Sequence, residues 1–411
     1  ASSQVEYGKT SQLGLSTALD TNLLYSHSVT LTGLDANSTY YFRVKSKDAS
    51  GNLATSGIQT LSTVSSLSIS FIPPTDVDNA VVSRDSSQIT TSLVSTYEAS
   101  SFVDWNRSLA GYWDFNGSSG PTAYDKSTYS NNGTLKNGPQ WTTGKLGSAL
   151  SFDGIDDYVD CSSNSSLDAT NAVTIEAWVK TSKAGWNTIA LKFGGTPMNG
   201  YWLGTNSGGN LYMFIYNNGS ARECNTSVFI SDGAWHHVAG IYDGTTMTCY
   251  VDGKSVYSKN WSTFMAIGGT SGRSLYISST GTDRFTGLID EVRIWNRTLS
   301  LDEIEASYNS KTNGLSLSVG GLASGTYQYY AYATDLTGNS SRTETRTLTV
   351  DTSGIPGDVN GDHLVNTADI TSLERIIAGL DVSTAAADAN QDGKVNTADI
   401  TTVERIVAGL G

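Results

Sequence analysis

GDVNGDHLVNTADITSLERIIAG, residues 357–379, is followed by DANQDGKVNTADITTVERIVAG at 388–409. Each copy opens on a polar run with oxygen-bearing side chains at alternate positions: Asp358, Asn360 and Asp362 in one, Asp388, Asn390 and Asp392 in the other. A further aspartate, Asp369 or Asp399, stands at the twelfth position of each run. The period then changes. Ile370, Leu373, Ile376 and Ile377 recur at helical spacing, and Ile400, Val403, Ile406 and Val407 repeat it. Gly379 and Gly409 follow where a helix end favours a left-handed residue. Helices this short are not stable alone, so the two loop-helix units must bury their apolar faces against each other.

A hard cation such as Ca2+ takes six to eight oxygens at about 2.4 Å, which a short loop supplies when alternate side chains turn inward and a last carboxylate closes the shell. The first loop offers Asp358, Asn360, Asp362, the Leu364 carbonyl, Asn366 and Asp369. The second offers Asp388, Asn390, Asp392, the Lys394 carbonyl, Asn396 and Asp399. A solvated acidic turn would account for one such loop, whereas two in a single register favour an EF-hand-like pair holding two Ca2+. Position 6 is Gly393 in the second loop but His363 in the first, so the first site is expected to bind more weakly.

The remaining chain has another character. Only 16% of the 411 residues are charged, against a soluble average of about 25%, and Gly, Ser, Thr, Asn and Tyr are plentiful. This is the composition of glycine-turned extracellular β structure, in a chain long enough for several domains. A net charge of -14 opposes binding to nucleic acid or an anionic membrane. No apolar run approaches a membrane span and no signal peptide opens the sequence, whose start reads as a fragment edge. Sequons at Asn37, Asn106, Asn116, Asn132, Asn164, Asn218, Asn225, Asn260, Asn296 and Asn339 fit an exported, extracellular or cell-surface protein. The three cysteines lack metal spacing; Cys224 and Cys249 fall on neighbouring predicted strands where pairing depends on register, and buried free thiols are the alternative.

Residues 1–64 alternate apolar and polar with regular turns, as in an antiparallel sandwich. Leu34 and Tyr40, in GLDANSTYYFRV, resemble the tyrosine corner of fibronectin type III domains, the likeness beginning near the third strand with VEYG. Residues 65–107 and 310–352 each hold strands that cannot close a core alone. Tyr327 and the Asp335-x-x-Gly338-Asn339 turn echo Tyr40 and Asp48-x-x-Gly51-Asn52, so the halves are read as one immunoglobulin-like sandwich split by an insertion at a loop tip. The insertion, 108–309, carries LAGYWDFNG, GKLGSALSFDGIDDYVD, VTIEAWVK, GAWHHVAGIYDGTTMTCYVDGKSVYS and FTGLIDEVRIWNRTLSLDEIEASY. In that order these segments resemble a laminin G-like, concanavalin A-like jelly roll, with Asp243-Gly244 and Asp252-Gly253 as hairpin turns and Ser300/Glu303 capping one short helix.

The duplicated loop-helix resembles a type I dockerin over 357–411. The resemblance implies a Ca2+-dependent fold and a cohesin partner, recognised through Thr367, Ala368, Glu374 and Arg375 and through Thr397, Ala398, Glu404 and Arg405. Two near-identical faces imply docking in either of two orientations. The jelly-roll likeness implies a carbohydrate or surface ligand, with Trp186, Tyr201, Trp202 and Tyr216 as aromatic platforms, packing being the alternative for each. It also suggests a third Ca2+ held by Asn116, Asp125 and Asp290, against the simpler reading that Asp125 caps a turn.

Catalysis finds little support. A jelly-roll glucanase needs carboxylates on alternate residues of one strand, about 5–5.5 Å apart. Glu176 is alone among apolar neighbours, and Asp290 and Glu291, being adjacent, face opposite ways. His236 and His237 likewise diverge and lack any hydrolase motif. The expectation is a mainly β multidomain, non-catalytic extracellular protein ending in a small all-α calcium module. The alternatives are an accessory region of a larger polysaccharide-degrading enzyme with an upstream catalytic domain, or a protein-binding adhesin.

Overall fold

A computed structural model describes all residues except 36–37, 64–66, 83, 118, 310–313, 352–355, 363, 391, 393 and 411. It is mostly β, with a jelly-roll-like domain and a few C-terminal helices. Two compact units form, one of residues 1–68 with 94–96, the other of 69–93 with 97–411.

In the first unit the strands Leu15–Ser16, Gln4–Gly8, Thr39–Lys47 and Leu53–Thr55 pair in that order, with Gln59–Ser62 also on Thr39–Lys47. Tyr40 is buried, and its hydroxyl accepts from the Asp35 backbone at 3.0 Å, pinning the chain that enters the strand. The Asp48 carboxylate caps its turn through the backbone N–H of Ser50 and Asn52, both at 2.9 Å. Asp335 does the same for Thr337 (2.9 Å) and Asn339 (3.0 Å). In both turns the glycine, Gly51 or Gly338, takes a positive φ (85° and 80°) that a side chain would resist.

In the second unit, strands from the two sides of the insertion pair with each other. Ser87–Val94 pairs with Ser316–Val319, and Ala99–Trp105 runs antiparallel to Gly325–Asp335 along its whole length. The Tyr327 hydroxyl donates to the Ala323 carbonyl at 2.9 Å, whereas that of Tyr40 accepts from a backbone N–H. The chain passes from Ala99–Trp105 into Leu109–Trp113, strands of two different sheets, through a tight turn at Asn106 and Arg107, both at positive φ (52° and 57°).

Between these halves two eight-stranded antiparallel sheets face each other. One is centred on Thr286–Trp295 between Ser148–Asp153 and Val173–Lys180; the other runs through Asn187–Gly194, Asn199–Thr205, Asn210–Asn217 and Ser220–Phe229. Their inner faces, including Trp113, Phe152, Ile175, Tyr201, Leu203, Met213 and Ile294, make the main core. A disulfide joins Cys224 to Cys249 and Cys161 stays a buried thiol. The bonded cysteines lie on strands of opposite sheets, so the bridge spans the core rather than linking neighbours within one sheet.

The outer face of the first jelly-roll sheet is also covered. Phe102 and Tyr330 from the flanking strands, Leu109, Tyr112 and Trp295 from the insert, and Ile304 of helix α1 (Leu301–Asn309) share one buried cluster. Arg293, 1% exposed, lies within it. It meets Glu176 at 3.5 Å, pairs with Glu291, donates to Ser100 Oγ at 3.2 Å, and sits 4.8 Å from the ring centres of both Phe102 and Tyr112. The jelly roll and the strands on either side of it in the chain therefore share a core at this seam.

Helices α2 (Thr367–Ile377) and α3 (Thr397–Val407) close the chain. Leu373 and Val403 pack with Val359, Ala387 and Ala389, so one small core draws on both loops and both helices.

Candidate functional site

Alternate residues of the first C-terminal loop turn inward because its backbone N–H groups are gathered onto side-chain oxygens. Asp358 Oδ1 accepts from Gly361 (2.9 Å) and Asp362 (3.1 Å), Asn360 Oδ1 from Asp362 (2.8 Å), and Asp362 Oδ1 from Leu364 (2.9 Å). Asp369, fully buried, reaches back from the helix. One oxygen accepts from Val359 (2.9 Å) and Asn360 (3.1 Å), the other from Asn366 (2.8 Å). With Asn366 Oδ1 accepting from Ala368 at 2.8 Å, this completes a capping box that starts α2. The second loop repeats these bonds: Asp392 to Asp388 Oδ1 (3.0 Å) and Asn390 Oδ1 (2.9 Å), Lys394 to Asp392 (2.9 Å), Asn390 and Asn396 to Asp399 (3.1 and 2.8 Å), and Ala398 to Asn396 (2.9 Å).

Carboxylate oxygens of Asp358, Asp362 and Asp369 come within 4.8 Å of one another. Three negative groups that close repel strongly unless a cation lies between them. The donor set, all hard oxygens, fits Ca2+. Asn366 and Asn396 use their side-chain oxygens as helix caps, so at the ninth position each has one lone pair left for a direct or water-mediated ligand. His363 and Gly393, where the loops differ, lie outside the described residues.

Thr367, Ala368, Glu374 and Arg375 are exposed on α2, and Thr397, Ala398, Glu404 and Arg405 are exposed on α3 in the same pattern. The two faces differ at one point. Arg375 forms a two-pronged pair with Asp381 (2.6 and 3.0 Å), whereas Arg405 donates to the Leu410 carbonyl at 3.3 Å.

In the jelly roll the three residues expected to hold a third cation each bond to backbone within the chain. Asp125 Oδ1 accepts from the Tyr112 and Ser127 backbones, both at 2.8 Å, and Oδ2 accepts from Ser127 Oγ (2.7 Å) and the Asn131 backbone (2.6 Å). Its two oxygens are engaged by the turn it caps and by the neighbouring strand Leu109–Trp113. Asn116 and Asp290 instead both hold the 144–148 turn, Asn116 through Ser148 N (2.8 Å) and Asp290 through Lys145 N (2.9 Å) and Leu146 N (3.0 Å). Burial pushes the Asp290 carboxyl well up.

Of the four aromatic platforms, Tyr201 is fully buried on the inner face, its hydroxyl donating to the Leu167 carbonyl at 2.9 Å. Neighbouring strand residues face opposite ways, so Tyr201 and Trp202 cannot both look outward. Trp202 takes the outer face but lies nearly buried, parallel to Phe214 at 5.1 Å. Trp186, 41% exposed, and half-buried Tyr216 end a row of touching rings that also includes Tyr212, Phe214 and Phe193. The alternation LYMFIYN at 211–217 carries the signal for Tyr212 and Phe214, which were missed. Gly204 lets the row lie flat, since a Cβ there would come within 2.5 Å of the Trp202 ring.

His236 lies between Asp252 (2.9 Å) and Asp232 (3.2 Å), and His237 is buried 3.4 Å from Glu176. Glu176 itself is fully buried and accepts from Trp295 Nε1 at 3.1 Å and Ser307 Oγ at 3.3 Å.

With a doubled, carboxylate-closed loop running into a capped helix, the comparison with protein families is direct. Residues 356–408 match the model of the dockerin type I domain. Residues 153–305 match the model described as the concanavalin A-like lectin/glucanases superfamily, over strands from both jelly-roll sheets. No curated protein matches the chain. Among solved structures, the binding domain of Paraclostridial Mosquitocidal Protein 1 is similar at 17% identity and a TM-score of 0.42, covering 49% of this chain and 52% of that one. Domain 4 of AbnA, an extracellular arabinanase from Geobacillus stearothermophilus, is similar at 20% identity and a TM-score of 0.40, covering 48% and 98%. The chain spans about half the length of the first of these. Among the described residues no helix is long and apolar enough to cross a membrane.

Proposed function

We propose that this chain is a non-catalytic extracellular binding protein that its dockerin fastens to a cohesin in a Ca2+-dependent way, while its concanavalin A-like domain offers a carbohydrate-binding face. The observation that carries the reading is the convergence of Asp358, Asp362 and Asp369 within 4.8 Å, at the place where the capping box starts α2. Bound Ca2+ would neutralise these carboxylates and tie the ends of each loop together. The first ion would be held by Asp358, Asn360, Asp362, Leu364 and Asp369, and the second by Asp388, Asn390, Asp392, Lys394 and Asp399. The chain's own contribution is to aim the oxygens and to hold Thr367, Ala368, Glu374 and Arg375, with their counterparts on α3, outward on two rigid helices.

The non-catalytic reading is supported by the carboxylates themselves. Glu176, Asp290 and Glu291 are all buried, and each is committed to internal partners. For the glycan face, support comes from the row from Trp186 to Tyr216, where apolar ring surface lies next to Glu223 and Asn225 on the adjoining strand. The test is calorimetric titration of the full chain with a panel of type I cohesins, with Ca2+ and again with EGTA. Binding to at least one cohesin that disappears in chelator is expected. Binding that ignores the chelator, or none across the panel, overturns the proposal.

A further inference from the structure

The two helix faces proposed to meet the cohesin carry the same four residue types. Thr367, Ala368, Glu374 and Arg375 on α2 have the exposure pattern of Thr397, Ala398, Glu404 and Arg405 on α3. Both helices also end alike. Ala378, Gly379 and Leu380 donate to the carbonyls of Glu374, Ile376 and Arg375, each at 2.9 Å, and Ala408, Gly409 and Leu410 repeat the three bonds at 2.9, 3.0 and 2.8 Å. The residue after this cap is where the copies part. It is Asp381 in the first and Gly411, which has no side chain, in the second.

That difference changes what each arginine does. Because Leu380 N is bonded to the Arg375 carbonyl, the cap brings the next residue, Asp381, beside the Arg375 side chain. The carboxylate then takes the guanidinium on two prongs, Nε to Oδ2 at 2.6 Å and Nη2 to Oδ1 at 3.0 Å. Two charge-assisted bonds of this kind are how a guanidinium binds a carboxylate most selectively. Among the described residues Arg405 instead makes one neutral bond, from Nη2 to the Leu410 carbonyl at 3.3 Å. The Arg375–Asp381 pair lies at the surface, its side chains 53% and 41% exposed, so a partner's carboxylate can compete for it.

We infer that Asp381 biases the module toward docking through α3, by occupying on α2 the guanidinium that an acidic group of the cohesin would otherwise take. The inference rests on the dockerin reading above and adds to it a preferred orientation and the chemistry of the contact, a carboxylate facing Arg405. A cohesin that docks through α2 has to displace Asp381, whereas one that docks through α3 displaces a carbonyl. Exposed ion pairs shift an equilibrium by at most about fivefold, so both orientations stay accessible and the one through α3 predominates by about that factor.

Calorimetric titration of the full chain in Ca2+ with a type I cohesin that binds the parent tests this. The substitutions fall on exposed side chains, and circular dichroism in Ca2+ checks that each variant keeps its helices. Arg405→Ala should weaken binding about fivefold, and Arg375→Ala clearly less. Asp381→Ala added to Arg405→Ala should restore affinity to within about twofold of the parent, because Arg375 is then free to take the same carboxylate. Adding Arg375→Ala as well should remove that gain. Equal losses from the two single arginine variants, or no restoration by Asp381→Ala, overturn the inference and leave the dockerin reading standing. No binding by the parent across the cohesin panel overturns both.

Discussion

Replacing Asp369 with alanine tests whether the two C-terminal loop-helix units form one cooperative fold. Asp369 accepts three backbone N–H groups, from Val359, Asn360 and Asn366 at 2.8–3.1 Å, and is fully buried. Hydrogen bonds to a charged group contribute about 1.5–3 kcal/mol each, so the loss is roughly 5–9 kcal/mol before any cation is counted. A module of this length has a total stability of about 3–8 kcal/mol at the usual 0.05–0.15 kcal/mol per residue. The loss is as large as the whole. The core also contains Val359 and Leu373 from one unit with Ala387, Ala389 and Val403 from the other, so unfolding the first exposes the apolar face of the second. Hydrogen exchange by mass spectrometry on the full chain in Ca2+ should show α2 and α3 losing protection together, with calorimetry detecting little Ca2+ binding. Asp399→Ala should give the same result. If Asp369→Ala strips protection from 367–377 and leaves 397–407 as in the parent, the units are independent and the reasoning from a shared core fails.

Arg293→Met strands Glu176 and Glu291 in the seam and should lower stability by about 3–5 kcal/mol in urea unfolding at neutral pH, with Glu176→Gln and Glu291→Gln added restoring most of it; a single-variant loss under 1 kcal/mol would speak against an ionised seam. Burial alone would raise the Glu176 carboxyl, but the His237 bond and the Arg293 charge hold it down at about 2, below its ordinary value of 4.5. A depressed carboxylate stabilises fully above its unfolded value. On the order of 3 kcal/mol should therefore vanish as pH falls from about 4.5 to 2, and Glu176→Gln should flatten that stretch of the pH profile. Replacing Cys224 and Cys249 by serine opens a loop closed over a separation of 25 residues and should cost about 3 kcal/mol, read as a lower urea midpoint under non-reducing conditions. Trp186→Ala should weaken retention on polysaccharide affinity gels severalfold while leaving thermal stability nearly unchanged; equal retention would remove the aromatic row as a glycan face.

Local chemistry made the C-terminal loops readable. Their ligand spacing, caps and helical period all lie within a dozen residues, and backbone N–H groups bonding to Asp358, Asp362 and Asp369 follow from that spacing with no help from the rest of the chain. The aromatic face was half legible: strand alternation separates Tyr201 from Trp202, and applied through 211–217 it yields Tyr212 and Phe214. Asp125 illustrates the limit. An aspartate in a turn and an aspartate on a metal share one sequence signature, and only the four donors around its two oxygens distinguish them.

Taken alone, the order of residues determined the β character of the body, the duplicated acidic helix pair and the positions where glycine must turn the chain, because each depends on neighbours within one element. Tertiary structure alone decided that Cys224 bridges to Cys249 across the core, and that Arg293 lies between two buried glutamates and two rings. Those outcomes depend on which surfaces meet, and burial changes the free energy of a charge or a ring by more than any local preference does.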